Sequence, residues 1–373
     1  MHLMFPLAIG LLAATANAGL LLEHQHPLVL DVPSTSTSDG TFNATQIVQN
    51  NAPWALARVA QPGPIGKVPP GLGAIITDPS DPSAKIEKRL TTRDWGFPYE
   101  DKWGQGVVVY VIDSGVLDTH SELHGRVLAG SVVKAYKGKA TEDACDHGTG
   151  VASLIAGLTV GIARAAQIYP IRVADIHDIN TCYPNALTEA YVAEGVMLAL
   201  DDIRNRKPTA AIINISWQWM GTKVVDALKL ATAAGVHVVL AAGNDKGADQ
   251  CKENSIDFNQ ITVGASDAKD QLAALSNDGQ CITLFAPGVS MNVAASTGVN
   301  NYRGAGTVNS GCSYAAPLAA GVVASLISAE GNKPPKDMRA RVLALAAHGV
   351  GIHGRVGTPD ILLQSLAKSP KAQ

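Results

Sequence analysis

No run of basic residues occurs in this chain, and its 29 Lys and Arg face 32 Asp and Glu, a net charge of −3. A nucleic-acid partner needs a dense positive surface that displaces counterions from the phosphates, so the sequence offers that class no foothold. Cysteine is scarce. The five present include no Cys-x-x-Cys pair, and His-Glu-x-x-His is missing as well, which removes the common zinc frameworks. Gly-x-Ser-x-Gly is absent because Ala315 stands where the last glycine belongs, and with it goes the nucleophile elbow of α/β-hydrolase esterases. Long apolar stretches are few. Leu3 to Ala14 falls short of the roughly 20 residues that span a bilayer. Ala315 to Ile327 is interrupted by Pro317 and Gly321 and reads as a buried helix, so no membrane partner is expected.

What is present is a globular composition, 46% apolar and 16% charged, enough for a sizeable core in 373 residues. Leu3 to Ala14 has the length of a signal-peptide h-region and is followed by Ala16-Asn17-Ala18, an A-x-A cleavage site before Gly19. His2 stands where Lys or Arg is usual. The expectation is a signal peptide over 1–18, export to the extracellular space, and an environment in which disulfides persist. Residues 19–45 are polar and turn-rich, as in an irregular leader or short propeptide, and Asn43 opens a glycosylation sequon, Asn43-Ala44-Thr45. A second sequon at Asn214 follows an apolar run and is expected to be buried and unmodified. One domain is expected over 46–365, with a Pro- and Gly-rich loop insertion near 62–92 and a polar tail at 366–373.

Val107 to Ile112 is a continuous β-branched run, which suits a strand covered on both faces. Similar runs recur at 168–173, 211–215, 236–241 and 260–264. Helical patterns lie between them at 186–204 and 222–234, and 313–328 and 336–347 read as closing helices. Strands alternating with helices predict a parallel α/β sheet, which has no internal repeat here.

In such sheets functional groups gather beyond the carboxyl ends of the strands. Asp113 closes one run, in Val111-Ile112-Asp113-Ser114-Gly115, where a carboxylate can face a crevice or cap a turn. His147 precedes an apolar helical run, and as a general base it would need a carboxylate to fix its tautomer. Ser313 opens another apolar helix, as an N-cap or as a nucleophile beside the helix's unpaired N–H groups. Asn244 closes Ala241-Ala242-Gly243-Asn244, where an amide either makes a turn or donates to a developing oxyanion.

In the order Asp, His, Ser, the strings Val-Ile-Asp-Ser-Gly, His-Gly-Thr-Gly, Ala-Ala-Gly-Asn and Gly-Cys-Ser-Tyr-Ala-Ala-Pro resemble the signatures of the subtilase (subtilisin-like serine protease) family. Asn50 to Arg58, Thr262 to Ser266 and Leu284 to Gly288 are similar to its proteinase K-like fungal group. The resemblance implies a three-layer subtilisin-like α/β fold, with helices flanking a mostly parallel central sheet. It also implies a secreted endopeptidase that acts as a monomer on polypeptides and requires no cofactor. Ser313 would attack the scissile carbonyl, His147 would carry the proton and Asp113 would orient His147, while Asn244 and the Ser313 N–H bind the oxyanion. Substrate would pair as a strand near Ser216, in a pocket including Ser216, Trp217, Gln218 and Gly243. It further implies a Cys251–Cys281 disulfide. Cys145 could bridge to Cys182, and Cys312 would then remain a buried, inert thiol.

Several positions depart from the family pattern. Gly150 and Leu318 stand where histidines are common, and Cys312 and Tyr314 where Thr and Met are usual. Gln218 and Trp219 replace small residues after Ser216 and would crowd the S1 wall. About 30 residues separate Gly19 from the mature-like start, fewer than a self-supporting propeptide domain needs. These departures motivate an alternative: a secreted, catalytically impaired homologue that binds peptides or proteins without turnover. Thr283 replaces a familiar acidic ligand and weakens the case for structural calcium. His120 and His124, four residues apart, invite a metal reading that no nearby third ligand supports, so no metal site is assigned.

Overall fold

Every residue from Val107 to Ile112 is buried, with no polar alternation, because this strand lies inside a sheet covered on both faces. The computed structural model describes residues 47–49, 52–61, 96–143, 145–174, 188–217, 221–246, 259–304 and 309–366. Its strands are β1 (Ile47–Gln49), β2 (Phe97–Tyr99), β3 (Val107–Asp113), β4 (Ser131–Val132), β5 (Gln167–Arg172), β6 (Ala210–Ile215) and β7 (His237–Ala241). They continue as β8 (Ile261–Ser266), β9 (Leu284–Pro287), β10 (Val293–Ala294), β11 (Tyr302–Arg303), β12 (Ala347–His348) and β13 (Ile361–Leu362). Nine of them form one sheet in the order β12-β13-β9-β8-β7-β6-β3-β5-β4. All its pairings are parallel except β12 with β13.

Successive side chains leave a strand on opposite faces, so one strand feeds two cores. Val107, Val109 and Val111 pack with the helices Gly148–Ala156 and Cys312–Glu330. Val108, Tyr110 and Ile112 pack with the helices Thr188–Arg206 and Thr222–Ala233. The result is the expected three-layer α/β fold. Among the described residues, Cys312–Glu330 is the one helix long and apolar enough to cross a membrane, and 89% of its apolar window is buried inside the protein. A helix surrounded by protein is apolar all round for that reason.

Some boundaries differ from expectation. The last long helix is Pro335–Leu345, and Ala347 and His348 leave it to pair with β13. Two-residue strands such as β4, β10 and β11 are too short for periodicity to reveal. The leader, the whole 62–92 insertion and the tail beyond Leu366 lie outside the described residues, and so does Asn43. Asn214 is fully buried.

The short helix Trp54–Val59 buries a charge as well as apolar groups. Arg58 has no exposed surface and meets Asp270 in a fork, Nε to Oδ1 at 2.7 Å and Nη2 to Oδ2 at 3.0 Å. Asp270→Asn would leave that guanidinium buried without a counter-charge, at a cost of about 3–5 kcal/mol. The expected result is a lower urea midpoint at unchanged m-value, and an unchanged midpoint would refute it.

Candidate active site

Strands β7, β6 and β3 are neighbours in the sheet, so their carboxyl ends share one rim. Asp113 ends β3, Ser216 follows β6, and Gly243 and Asn244 follow β7. The helices Gly148–Ala156 and Cys312–Glu330 pack on each other over this face. His147 is the N-cap of the first, and Ser313 lies in the first turn of the second.

Asp113 and His147 are brought together. The imidazole Nδ1 lies 2.9 and 3.1 Å from the two carboxylate oxygens of Asp113. This leaves Nε2 for other chemistry, and the His147 side chain keeps 31% of its surface exposed against 8% for Asp113. Burial pushes the imidazolium down. The Asp113 charge, its hydrogen bond and the Asp143 charge outweigh that and raise His147 above the ordinary histidine range.

Asp143 is a site residue that the sequence reading missed. Its Oδ1 accepts from Ser114 Oγ at 2.8 Å, from Asp146 N–H at 2.9 Å and from Cys145 N–H at 3.2 Å. Its Oδ2 accepts from Thr149 N–H at 2.8 Å and Thr149 Oγ1 at 2.6 Å. Burial holds this carboxyl above the usual range, against the hydrogen bonds from Thr149 and Ser114 that lower it. Asp143 thus joins the end of β3 to the start of the histidine helix. One signal was available: His147 is a poor N-cap and makes no side-chain cap bond, so the helix's first donors needed another acceptor.

Ser313 and Asn244 converge on Gly311. A methyl carbon on Gly311 would stand 3.0 Å from Ser313 Oγ and 3.1 Å from Asn244 Nδ2. The amide is oriented by Cys312, whose N–H donates to Asn244 Oδ1 at 2.9 Å, so Nδ2 is directed to that space. Gly243 adopts φ of +100°, a conformation that favours glycine, and its carbonyl accepts from Asn277 N–H at 2.9 Å and Cys312 Sγ at 3.0 Å. Burial pushes the Cys312 thiol up to about 11, which leaves it protonated at neutral pH.

Ser216 has a role the sequence did not suggest. Pro317 has no N–H to donate to the carbonyl four residues back, that of Ser313. Ser216 Oγ donates to this carbonyl at 2.9 Å and itself accepts from Asn214 Nδ2 at 3.1 Å. The end of β6 is thereby tied to the serine turn. Among the described residues no hydrogen bond joins Ser313 Oγ to His147. The Tyr314 ring lies against the imidazole, with centroids 5.4 Å apart.

This arrangement can be compared with known proteins. A model of the subtilase family matches residues 104–358. The chain belongs to the subtilase family. It is 29% identical over 326 residues to the subtilisin-like serine protease Pen ch 18 of Penicillium rubens, covering 84% of this chain and 60% of that protein. It is 32% identical over 317 residues to subtilisin-like protease 2 of Trichophyton equinum, covering 84% of this chain and 66% of that one. Against the extracellular serine proteinase of Thermus sp. (strain Rt41A) it is 32% identical over 284 residues, 75% of this chain and 64% of that one. The chain therefore spans about 60% of the length of the Penicillium relative. A crystal structure of a cold-adapted subtilisin-like serine proteinase matches with TM-score 0.66 and 27% identity, covering 85% of this chain and all of that one.

The other positions singled out in this subtilase fall as follows. Trp217 is partly buried and packs on the core under β6, while Gln218 and Trp219 lie outside the described residues. Cys182, the suggested partner of Cys145, lies outside the described residues. The Cys145 backbone is drawn into the turn around Asp143. Cys281 is disulfide-bonded, and its expected partner Cys251 also lies outside. His120 is buried and both ring nitrogens are engaged, Nε2 with Asn301 O at 2.7 Å and Nδ1 with Glu122 N–H at 3.1 Å. Thr283 is buried and accepts from Thr262 N–H at 3.0 Å.

Proposed function

We propose that this subtilase is a secreted serine endopeptidase that acts as a monomer on polypeptides and needs no cofactor. Two observations carry the proposal together: an imidazole held by Asp113, and a space at Gly311 flanked by Ser313 Oγ and Asn244 Nδ2. Ser313 Oγ bonds to the scissile carbonyl carbon as its proton passes to His147 Nε2, and the C=O π electrons move to oxygen. Asn244 Nδ2 and the Ser313 N–H, a first-turn donor without an intrahelical acceptor, hold that oxyanion. The intermediate expels the amine, which takes the proton from His147, and leaves an acyl-Ser313. Water then repeats the sequence, releasing the acid and restoring the Ser313 hydroxyl.

Export is supported by the Ala16-Asn17-Ala18 cleavage pattern and by the extracellular relative. We assign Cys251 as the partner of Cys281. A substrate strand would lie beside the segment at Ser216, which is tied to the serine turn.

The deciding experiment is fluorophosphonate treatment of the full, folded chain, followed by mapping of the modified peptide. The expected result is one adduct, on Ser313. No adduct on Ser313 would refute the assignment. Gln218 and Trp219, which replace small residues after Ser216, motivate a second reading, a binding protein without turnover. Casein cleavage by the purified chain would dismiss it.

A further inference from the structure

Asp146, the residue before His147, has φ of +58°, a backbone region that non-glycine residues rarely occupy. Such a conformation persists only where the surroundings over-determine it. Here all of its polar groups are held. Its N–H donates to Asp143 Oδ1 at 2.9 Å, and its Oδ1 accepts from the Ser296 N–H. Its carbonyl accepts from Arg303 Nη2, and its Oδ2 lies 3.1 Å from Arg303 Nε as a charge contact.

Arg303 reaches this turn from β11, where it pairs with Val293 of β10. Strand β10 is itself fastened to the histidine helix, with Ala294 N–H donating to Ser153 Oγ at 3.1 Å. Gly150 lies against the same pair: a Cβ there would press on Val293 Cγ2 at 3.2 Å and reach ordinary contact with Arg303 Nη2 at 3.5 Å. On its other side Arg303 Nη2 lies 3.4 Å from the Tyr314 hydroxyl, whose ring faces the imidazole. Arg303 therefore touches the chain neighbours of both His147 and Ser313.

We infer that Arg303 is a positioning residue of this active site, setting the angle of the His147 imidazole through the Asp146 peptide and bracing Tyr314 beside it. Gly150 and Tyr314, two departures from the family pattern, become parts of one device. The glycine places no side-chain atoms beside Val293 and the guanidinium, and the phenol meets both the guanidinium and the imidazole. The groups acting on His147 are the Asp113 and Asp143 carboxylates, the Arg303 cation and the Tyr314 phenol, while the adjacent Asp146 carboxylate is turned to Ser296 and Arg303. That phenol, pushed up to about 12 by burial, is neutral at working pH. Loss of Arg303 thus removes the one cation of this set.

The inference rests on the proteolytic reading, so one readout must need no turnover. In the full chain, Arg303→Leu should raise the midpoint of the His147 imidazole titration followed by NMR. It should also slow fluorophosphonate labelling of Ser313 roughly ten- to a hundredfold, with kcat lowered and KM unchanged. Arg303→Lys should return the midpoint toward the wild-type value, because a cation remains. It should not restore the labelling rate, since one compact ammonium cannot both bond the Asp146 carbonyl and lie against its carboxylate as the guanidinium does. If Arg303→Leu fails to fold, the lysine variant carries the test by its labelling rate. Unchanged midpoint and rate in the leucine variant, or full rate in the lysine variant, would overturn the inference. If the wild-type chain takes no label, the proteolytic reading fails separately and the midpoint alone judges Arg303.

Discussion

Asp113→Asn should lower kcat on a peptide substrate roughly 10⁴-fold with little change in KM. The carboxylate holds the His147 Nδ1–H at 2.9 Å and so leaves Nε2 unprotonated. An amide of the same shape can present its N–H to Nδ1, which places the proton on Nε2, where it blocks attack by Ser313. The pH profile gives a second check. Burial lowers the His147 pKa, but the charge and hydrogen bond of Asp113, with Asp143, raise it above the ordinary value, near 6.5. Activity needs the neutral ring, so wild-type activity should fall as pH drops through a midpoint above that value. Without the Asp113 charge the imidazolium loses its largest support, and the acid limb of the residual activity should move to lower pH. A loss below tenfold, or a limb that moves upward, would contradict this role.

Asn244→Ala should lower kcat about 10²–10³-fold, or about 2.7–4 kcal/mol of transition-state stabilisation, again with little effect on KM. The amide performs two tasks: Oδ1 accepts the Cys312 N–H at 2.9 Å, and Nδ2 borders the space beside Gly311. Asn244→Asp separates them. It keeps the acceptor for Cys312 and replaces the donor with a negative charge. If the oxyanion is the target, the aspartate variant should be at least as slow as the alanine variant. Retained activity in Asn244→Asp would show that holding Cys312 is the only contribution. Thermal melting of both variants separates a folding loss from a chemical one.

The sheet was legible because parallel strands covered on both faces leave continuous apolar runs, and 107–112, 211–215 and 236–241 are such runs. The two-residue strands were not legible. They are too short for a period to develop, even where their residues are buried in the core, as Val293, Ala294 and Leu362 are.

The residues of the site divide in the same way. Asp113, His147, Asn244 and Ser313 were readable because each sits in a short local string at the end of a strand or the start of a helix. Asp143 and Arg303 sit in no such string, and Ser216 was readable only as a residue beside the substrate. What those three do depends on hydrogen-bond partners 2 to 157 positions away along the chain. By itself the sequence determined which groups could react and which runs had to be buried, since both depend on local residue type and spacing. Only the tertiary structure decided which carboxylate braces the histidine turn and which hydroxyl takes the carbonyl that Pro317 leaves free. Those outcomes depend on where packing directs side chains that are distant in sequence, and local periodicity carries no record of that.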